Sequence, residues 1–456
     1  MPALTLILDD LMPFADFGST AEEGDGSFSL YRNGLLTEVV PTEAGYIVRT
    51  PQEPEQLLKN AGALLASSRF ADLGRIAQNQ AVVLGAVRMR SSPVPITSEL
   101  KQVAGSVPDF IATAEPWKAL DSWLQNLEQT KQEDSIDLLL IDGPAGVGKT
   151  TIVREAALLR AESYDGSLPL IVQIVSRGRV LQNISDLIAF ALQDVRANLT
   201  IRELMVLIRH GLITLAIDGF DELSDPNGFQ TAWSGLNTLF EGARGVATIL
   251  LAGRETFIST QTIQRQLTSF RPTNDRLSSL SLSDPYPEAA RAWLLNQPGW
   301  NADLLTLDFV EPIFVSKSYA LRPFFLDVIA REPDALRDSE PPASDLLTYL
   351  VDVMSRREAQ KFFESLDPPN GNEAIKVYGE YVGRFLEEVA RDLAENQTDA
   401  LADDALDLLA TVAANGLLPD DQIPAVVQRA RTIVFLANDV QPGHVRFAHE
   451  QLQQHF

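Results

Sequence analysis

The nine residues beginning at Gly143, "GPAGVGKTT", constrain this chain more than any other stretch. They fit G-x-x-x-x-G-K-[ST] and stand between an apolar run, "SIDLLLIDG", and a helix-forming one, "TTIVREAALLRAE". The order predicts a buried strand, a tight loop and a helix, which is the context that gives the motif its meaning. Glycines at 143, 146 and 148 let the backbone wrap closely round an anion with its N–H groups inward. The helix N-terminus adds partial positive charge. Gly143, Pro144, Ala145, Gly146, Val147, Gly148, Lys149, Thr150 and Thr151 would form the cradle. Lys149 would reach the β- and γ-phosphates, and Thr150 would place its hydroxyl on Mg²⁺. ATP or ADP with Mg²⁺ is therefore the expected ligand. A chance glycine-rich turn is the competing reading, and it leaves both flanks unexplained.

Some seventy positions later, "LITLAIDGFDEL" places three acids in five residues at the end of an apolar run. A strand there delivers Asp218 to the carboxyl edge of the sheet, where open α/β sheets bind ligands. Asp218 would face Thr150 and hold Mg²⁺. Glu222 is the candidate for polarising the attacking water, with Asp221 supporting it or the metal. An ordinary carboxylate suffices, because phosphoryl transfer is mostly positioning and charge neutralisation. Acidic loop decoration is the bland alternative. A third strand, in "ILLAGRETF", ends directly before Arg254, which would lie near the γ-phosphate at the same edge.

Apolar strands alternate with helices from residue 135 to about 252, so the expected core is α/β, with a parallel sheet covered by helices on both faces. Residues 113–300 are assigned to this nucleotide-binding unit. It is entered by a helix whose Trp117, Leu120, Trp123 and Leu127 share one face. Residues 1–112 read as an α+β unit. "GSFSLYRNGLLTEVVPTEAGYIVRT" gives short antiparallel strands and "PEQLLKNAGALLASSRFADLGRIAQNQAVVLGAVRMR" reads helical. "SSPVPITSEL" looks like a loop, and the pairs Asp9, Asp10 and Glu22, Glu23 look like solvated surface. Beyond residue 300 the pattern is almost entirely helical.

Charge and composition exclude several function classes. A net charge of −25 repels nucleic-acid phosphates, and no Lys/Arg cluster overrides it, so nucleic acid is disfavoured as a primary ligand. No cysteine is present, so there is no disulfide framework or thiolate metal site, and the four histidines lack a usual ligand spacing. No apolar run reaches the ~20 residues that span a bilayer, and the N-terminus lacks a basic leader, so a cytoplasmic protein without a membrane partner is expected.

"GPAGVGKTT", "IDGFDEL" and "LLAGR" together resemble the NACHT ATPases of the STAND class of signalling P-loop NTPases. The resemblance covers about 115–456. It implies a helical domain at 301–365 and a winged-helix domain at 366–456 whose last helix normally continues further. "LRPFFLDVI" resembles the segment whose proline packs on adenine, here Pro323. "VRFAHEQLQQHF" resembles the segment whose histidine reaches the β-phosphate in the ADP-bound form, here His449. Two positions depart from the pattern: Glu255 replaces the proline after the arginine, and Gln453-Gln454 replaces Gln-Glu. The family implies a slow ATPase switch, closed with ADP and open with ATP. It further implies a nucleotide-dependent homo-oligomer, a protein trigger or effector, and a role in antiphage or stress defence. Residues 1–112 would be the effector or adaptor. A constitutive remodelling ATPase and a nucleotide-clamped scaffold are the alternatives.

Overall fold

A computed structural model of the chain describes residues 4–456 except 52, 87–92, 105–115, 176–183, 221–229, 255–257, 259, 308–309, 316–317, 332, 334–342, 367–371, 399, 439–443 and 448–449. Five strands, β1 (Glu22–Gly24), β2 (Ser27–Arg32), β3 (Leu35–Thr42), β4 (Gly45–Thr50) and β5 (Glu53–Leu58), pair in sequence order as an antiparallel meander. Asn33 and Gly34 join β2 to β3 with φ of 52° and 76°, the two-residue turn that matches strand twist. The Asp16 carboxylate accepts both of their N–H groups at 2.7 Å. The helical reading of "PEQLL" is corrected: these residues lie in β5 and pair with β4. Helices come next at Ala61–Ala66 and Leu73–Gly85.

This N-terminal unit shares a core with the α/β unit. Leu11, Phe14, Leu65 and Phe70 belong to the same buried cluster as Leu204, Leu207 and Ile208 of the helix Ile201–Arg209. Arg32 donates to Glu203 at 3.0 Å and to the Phe14 carbonyl at 2.9 Å. Asp10 is a second correction. Its pairing with Asp9 suggested a solvated surface, yet it is 1% exposed, paired with Arg209 and 3.1 Å from His210. Burial and then the Arg209 charge push the His210 pKa down to about 4, so the ring is neutral at pH 7.

The second sheet comprises β6 (Thr97–Ala104), β7 (Ser135–Asp142), β8 (Leu170–Val175), β9 (Ile213–Asp218), β10 (Val246–Ala252) and β11 (Arg276–Ser283), in the order β6-β11-β7-β10-β9-β8. The last five are parallel, as the strand–helix alternation predicts. β6 is antiparallel to β11, which makes the sheet mixed and corrects the loop reading of "SSPVPITSEL" for its last four residues, Thr97 to Leu100. The sheet thus reaches back across the boundary drawn at residue 112. Successive residues of β7 face opposite ways. Ile136, Leu138 and Leu140 pack with the helices Ile184–Asp194, Ile201–Arg209 and Gln230–Ala243. Leu139 and Ile141 pack with the helices Pro116–Thr130 and Lys149–Glu162. Leu120, Trp123 and Leu127 are buried on this second side, as their spacing predicts.

The remainder is mostly helical, including Pro287–Leu295, Pro323–Ala330, Ala343–Leu366, Asn372–Asn396, Asp403–Ala414 and Ile423–Ala430. Three short strands, β12 (Leu401–Ala402), β13 (Leu436–Asn438) and β14 (His444–Phe447), form a small antiparallel sheet with β14 in the centre. These elements share a core of their own, in which Phe362 stacks on Tyr378 at 5.9 Å and meets Tyr381 edge-on at 5.7 Å. Among the described residues no helix is long and apolar enough to cross a membrane.

Candidate functional site

The loop after β7 is shaped by its glycines. Gly143, Gly146 and Gly148 hold φ of 149°, 79° and 104°, values that L side chains rarely adopt. A Cβ on Gly143 would also stand 2.7 Å from the Leu282 carbonyl oxygen, so β11 closes the space that a larger residue needs. Gly148 caps the helix Lys149–Glu162, whose first N–H groups therefore open onto the loop. The Lys149 ammonium folds back and donates to the carbonyls of Gly143 at 2.7 Å and Pro144 at 2.9 Å. It is held over the loop, where a phosphate would meet it.

Parallel register brings the other groups level with the loop. Asp218 ends β9 opposite Ala252 of β10, and Ala252 lies opposite Ile141 of β7. Asp218 is 3% exposed, and its Oδ2 accepts a hydrogen bond from Gln173 Nε2 of β8 at 3.0 Å. Asp142, the last residue of β7, accepts from the Ser279 hydroxyl at 2.7 Å. Burial raises the Asp142 pKa; the Ser279 and Ser281 hydroxyls and then the Lys149 charge pull it back.

The C-terminal segment closes over this edge. Arg254 is 9% exposed and donates to the Thr432 carbonyl at 2.8 Å and the Leu436 carbonyl at 2.7 Å. Arg254 lies two residues past the end of β10. Its guanidinium spans to the small sheet and the turn before it. Arg322 donates to the Ala145 carbonyl at 3.0 Å, and the Phe324 N–H to the Gly146 carbonyl at 3.2 Å. Pro323 opens its helix and is buried.

Between the two halves lies a cavity of about 470 Å³, within the range of small-ligand sites. Ala145 through Thr151, Asp218, Arg254 and Pro323 line it, and Trp117, Trp293, Phe324 and Val434 add apolar wall. Among the described residues its charged lining is Lys149, Arg154, Arg254, Arg331, Arg357 and Lys361 against Asp218 and Asp327. This cationic interior belongs to a chain of net charge −25. An apolar wall beside a cationic loop fits a nucleoside di- or triphosphate. Among the described residues no three His, Asp or Glu gather to hold a metal. Mg²⁺ in phosphate sites takes one or two protein ligands and completes its shell with phosphate and water; Thr150 and Asp218 are the candidates.

The structure brings Ala145, Gly146, Val147, Gly148, Lys149, Thr150, Thr151, Asp218, Arg254 and Pro323 to one cavity. Gly143 and Pro144 stand beneath the loop and hold Lys149. Asp221, Glu222 and His449 lie outside the described residues. Sequence reasoning passed over Gln173, Asp142 and Arg322. Gln173 carried a signal, as the one polar residue in "LIVQIV". Asp142 carried one in the alternating serines of β11. Arg322 grips a backbone carbonyl, which has no sequence signature.

Residues 137–280 match the NACHT domain family. Several solved structures are remotely similar. The Aeropyrum pernix ORC2 protein, solved in ADPNP–ADP complexes, is 11% identical over 74% of this chain and 91% of that one, with a TM-score of 0.36. The Aeropyrum pernix ORC1 protein in complex with DNA is 13% identical over 74% and 89%, with a TM-score of 0.39. A Walker-type ATPase of Pyrococcus abyssi is 13% identical over 75% and 94%, with a TM-score of 0.39. No curated protein matches.

Proposed function

We propose that this chain, a P-loop NTPase that carries a NACHT domain at 137–280, works as a nucleotide-operated signalling switch. One observation carries the reading. Arg254, two residues past the end of β10, the strand between the loop strand and the Asp218 strand, is bonded across the cavity to Thr432 and Leu436. A ligand in that cavity touches both halves at once, so its identity bears on whether they stay together. In this reading residues 113–300, with β6, bind nucleotide. Residues 301–365 are a helical domain, 366–456 a winged-helix-like domain, and 1–112 an effector or adaptor. Lys149 and the loop N–H groups take the phosphates, and Thr150 and Asp218 take Mg²⁺. Glu222, supported by Asp221, orients the water. Pro323 packs on adenine, and His449 meets the β-phosphate of ADP. Mg²⁺ supplies charge neutralisation at the transferring phosphoryl group.

ADP favours the closed arrangement. A γ-phosphate competes for Arg254, releases the C-terminal segment and lets copies associate. A swing from 1:99 to 99:1 needs about 5.5 kcal/mol of differential binding, which calls for a second, protein trigger. The setting proposed is antiphage or stress defence. Particle mass in solution tests the switch. A monomer is expected with Mg²⁺·ADP and a defined oligomer with a non-hydrolysable ATP analogue plus trigger. The same ring in both nucleotides would instead make the chain a constitutive remodelling ATPase.

A further inference from the structure

The geometry points to Gln173 as a positioning residue for the metal-directed carboxylate, a role that rests on the reading of Thr150 and Asp218 as the Mg²⁺ residues. β8 is the outermost strand on its side of the sheet and takes no part in the loop. It reads "LIVQIV", with five apolar residues and one amide. Gln173 is paired in register with Ala216 of β9, two residues before Asp218. Its side chain therefore reaches along the strand to the sheet's carboxyl edge. There Nε2 donates to Asp218 Oδ2 at 3.0 Å and, at a longer 3.5 Å, to the Thr150 carbonyl. One amide group thus joins the two elements that present the Mg²⁺ residues, the end of β9 and the first turn of the loop helix.

The bond has two physical consequences. Asp218 is 3% exposed, so water has little access to it and the amide supplies a hydrogen bond to one of its oxygens. A fixed Oδ2 also fixes the plane of the carboxylate, and so the direction in which Asp218 meets a cation. Hydrogen bonds to ligating carboxylates are worth about 10–100-fold in metal affinity where they have been removed from other sites. Bulk alone does not supply this. Leucine fills nearly the same space and removes this donor from Asp218.

Mn²⁺ binding in the presence of ADP, tracked by electron paramagnetic resonance on the full chain, is the experiment. Gln173→Leu and Gln173→Glu are compared with Asp218→Asn and with the unaltered chain. ADP binding in EDTA and thermal melting are recorded for each. The expected result is a loss of Mn²⁺ affinity of about 10–100-fold in Gln173→Leu, larger in Gln173→Glu, with metal-free ADP binding within about threefold. A residue that merely satisfies the strand edge would lower the melting temperature and leave Mn²⁺ affinity unchanged, and that outcome overturns the proposal. If Asp218→Asn also binds Mn²⁺ normally, the assignment of the metal residues fails first. If Asp218→Asn loses Mn²⁺ while Gln173→Leu does not, only the role of Gln173 fails.

Discussion

Lys149→Ala is expected to weaken ADP and ATP binding by roughly 30- to 4,000-fold. That range converts the 2–5 kcal/mol typical of removing one partner from a desolvated charge pair at about 1.4 kcal/mol per decade. The structure gives the reason for the upper part of the range. The ammonium is fixed over the loop by the Gly143 and Pro144 carbonyls, so little further ordering is needed when a phosphate arrives. Without it, the Gly143 and Pro144 carbonyls lose their donor and the phosphates lose a cation beside the loop. Isothermal titration with ADP measures the effect, and a melting temperature near that of the unaltered chain shows that the fold survives. A dissociation constant within about threefold of the original would remove the phosphate-cradle reading.

Arg254→Ala is expected to shift the balance between closed and open arrangements by two to four orders of magnitude. Two hydrogen bonds from a charged group are lost, at about 1.5–3 kcal/mol each, or about 3–6 kcal/mol together. The Thr432 and Leu436 carbonyls then turn to water, which is easier in the open form. Small-angle scattering and limited proteolysis in ADP measure the change, through a larger radius and faster cleavage between 430 and 456. Arg254→Lys is expected to open the chain as well, because an ammonium keeps the charge but not the planar fork that serves two carbonyls. An unchanged radius and cleavage rate in both variants would mean that closure is held elsewhere.

Much of the core was legible because its signals are local. The loop motif, its strand and its helix occupy consecutive residues, and Asp218 ends an unbroken apolar run. What escaped depended on partners distant in sequence. β6 holds two prolines just upstream and several polar residues, and only its pairing with β11 makes it a strand. β5 offered a proline and two leucines that suit a helix start, and β4 drew them into a sheet instead. Asp10 has only Asp9 as an acidic neighbour in an otherwise apolar run, and Arg209 and His210 meet it from another unit. The clasp of Arg254 could not be read at all, since its acceptors are main-chain oxygens that any residue supplies. The carboxylates of Asp221 and Glu222 rest on the sequence pattern alone.

The charge pattern of the cavity also has a kinetic consequence. Within a Debye length of the surface, about 10 Å at 0.1 M salt, an approaching nucleotide meets the repulsive field of a chain carrying −25. Inside the cavity it meets Lys149, Arg154, Arg254, Arg331, Arg357 and Lys361. The path therefore has an outer barrier and an inner well of opposite sign. Added salt lowers the barrier and makes the well shallower, so both arrival and departure quicken. Ionic strength then sets the lifetime of the bound state, and with it how long the chain retains the last nucleotide it met.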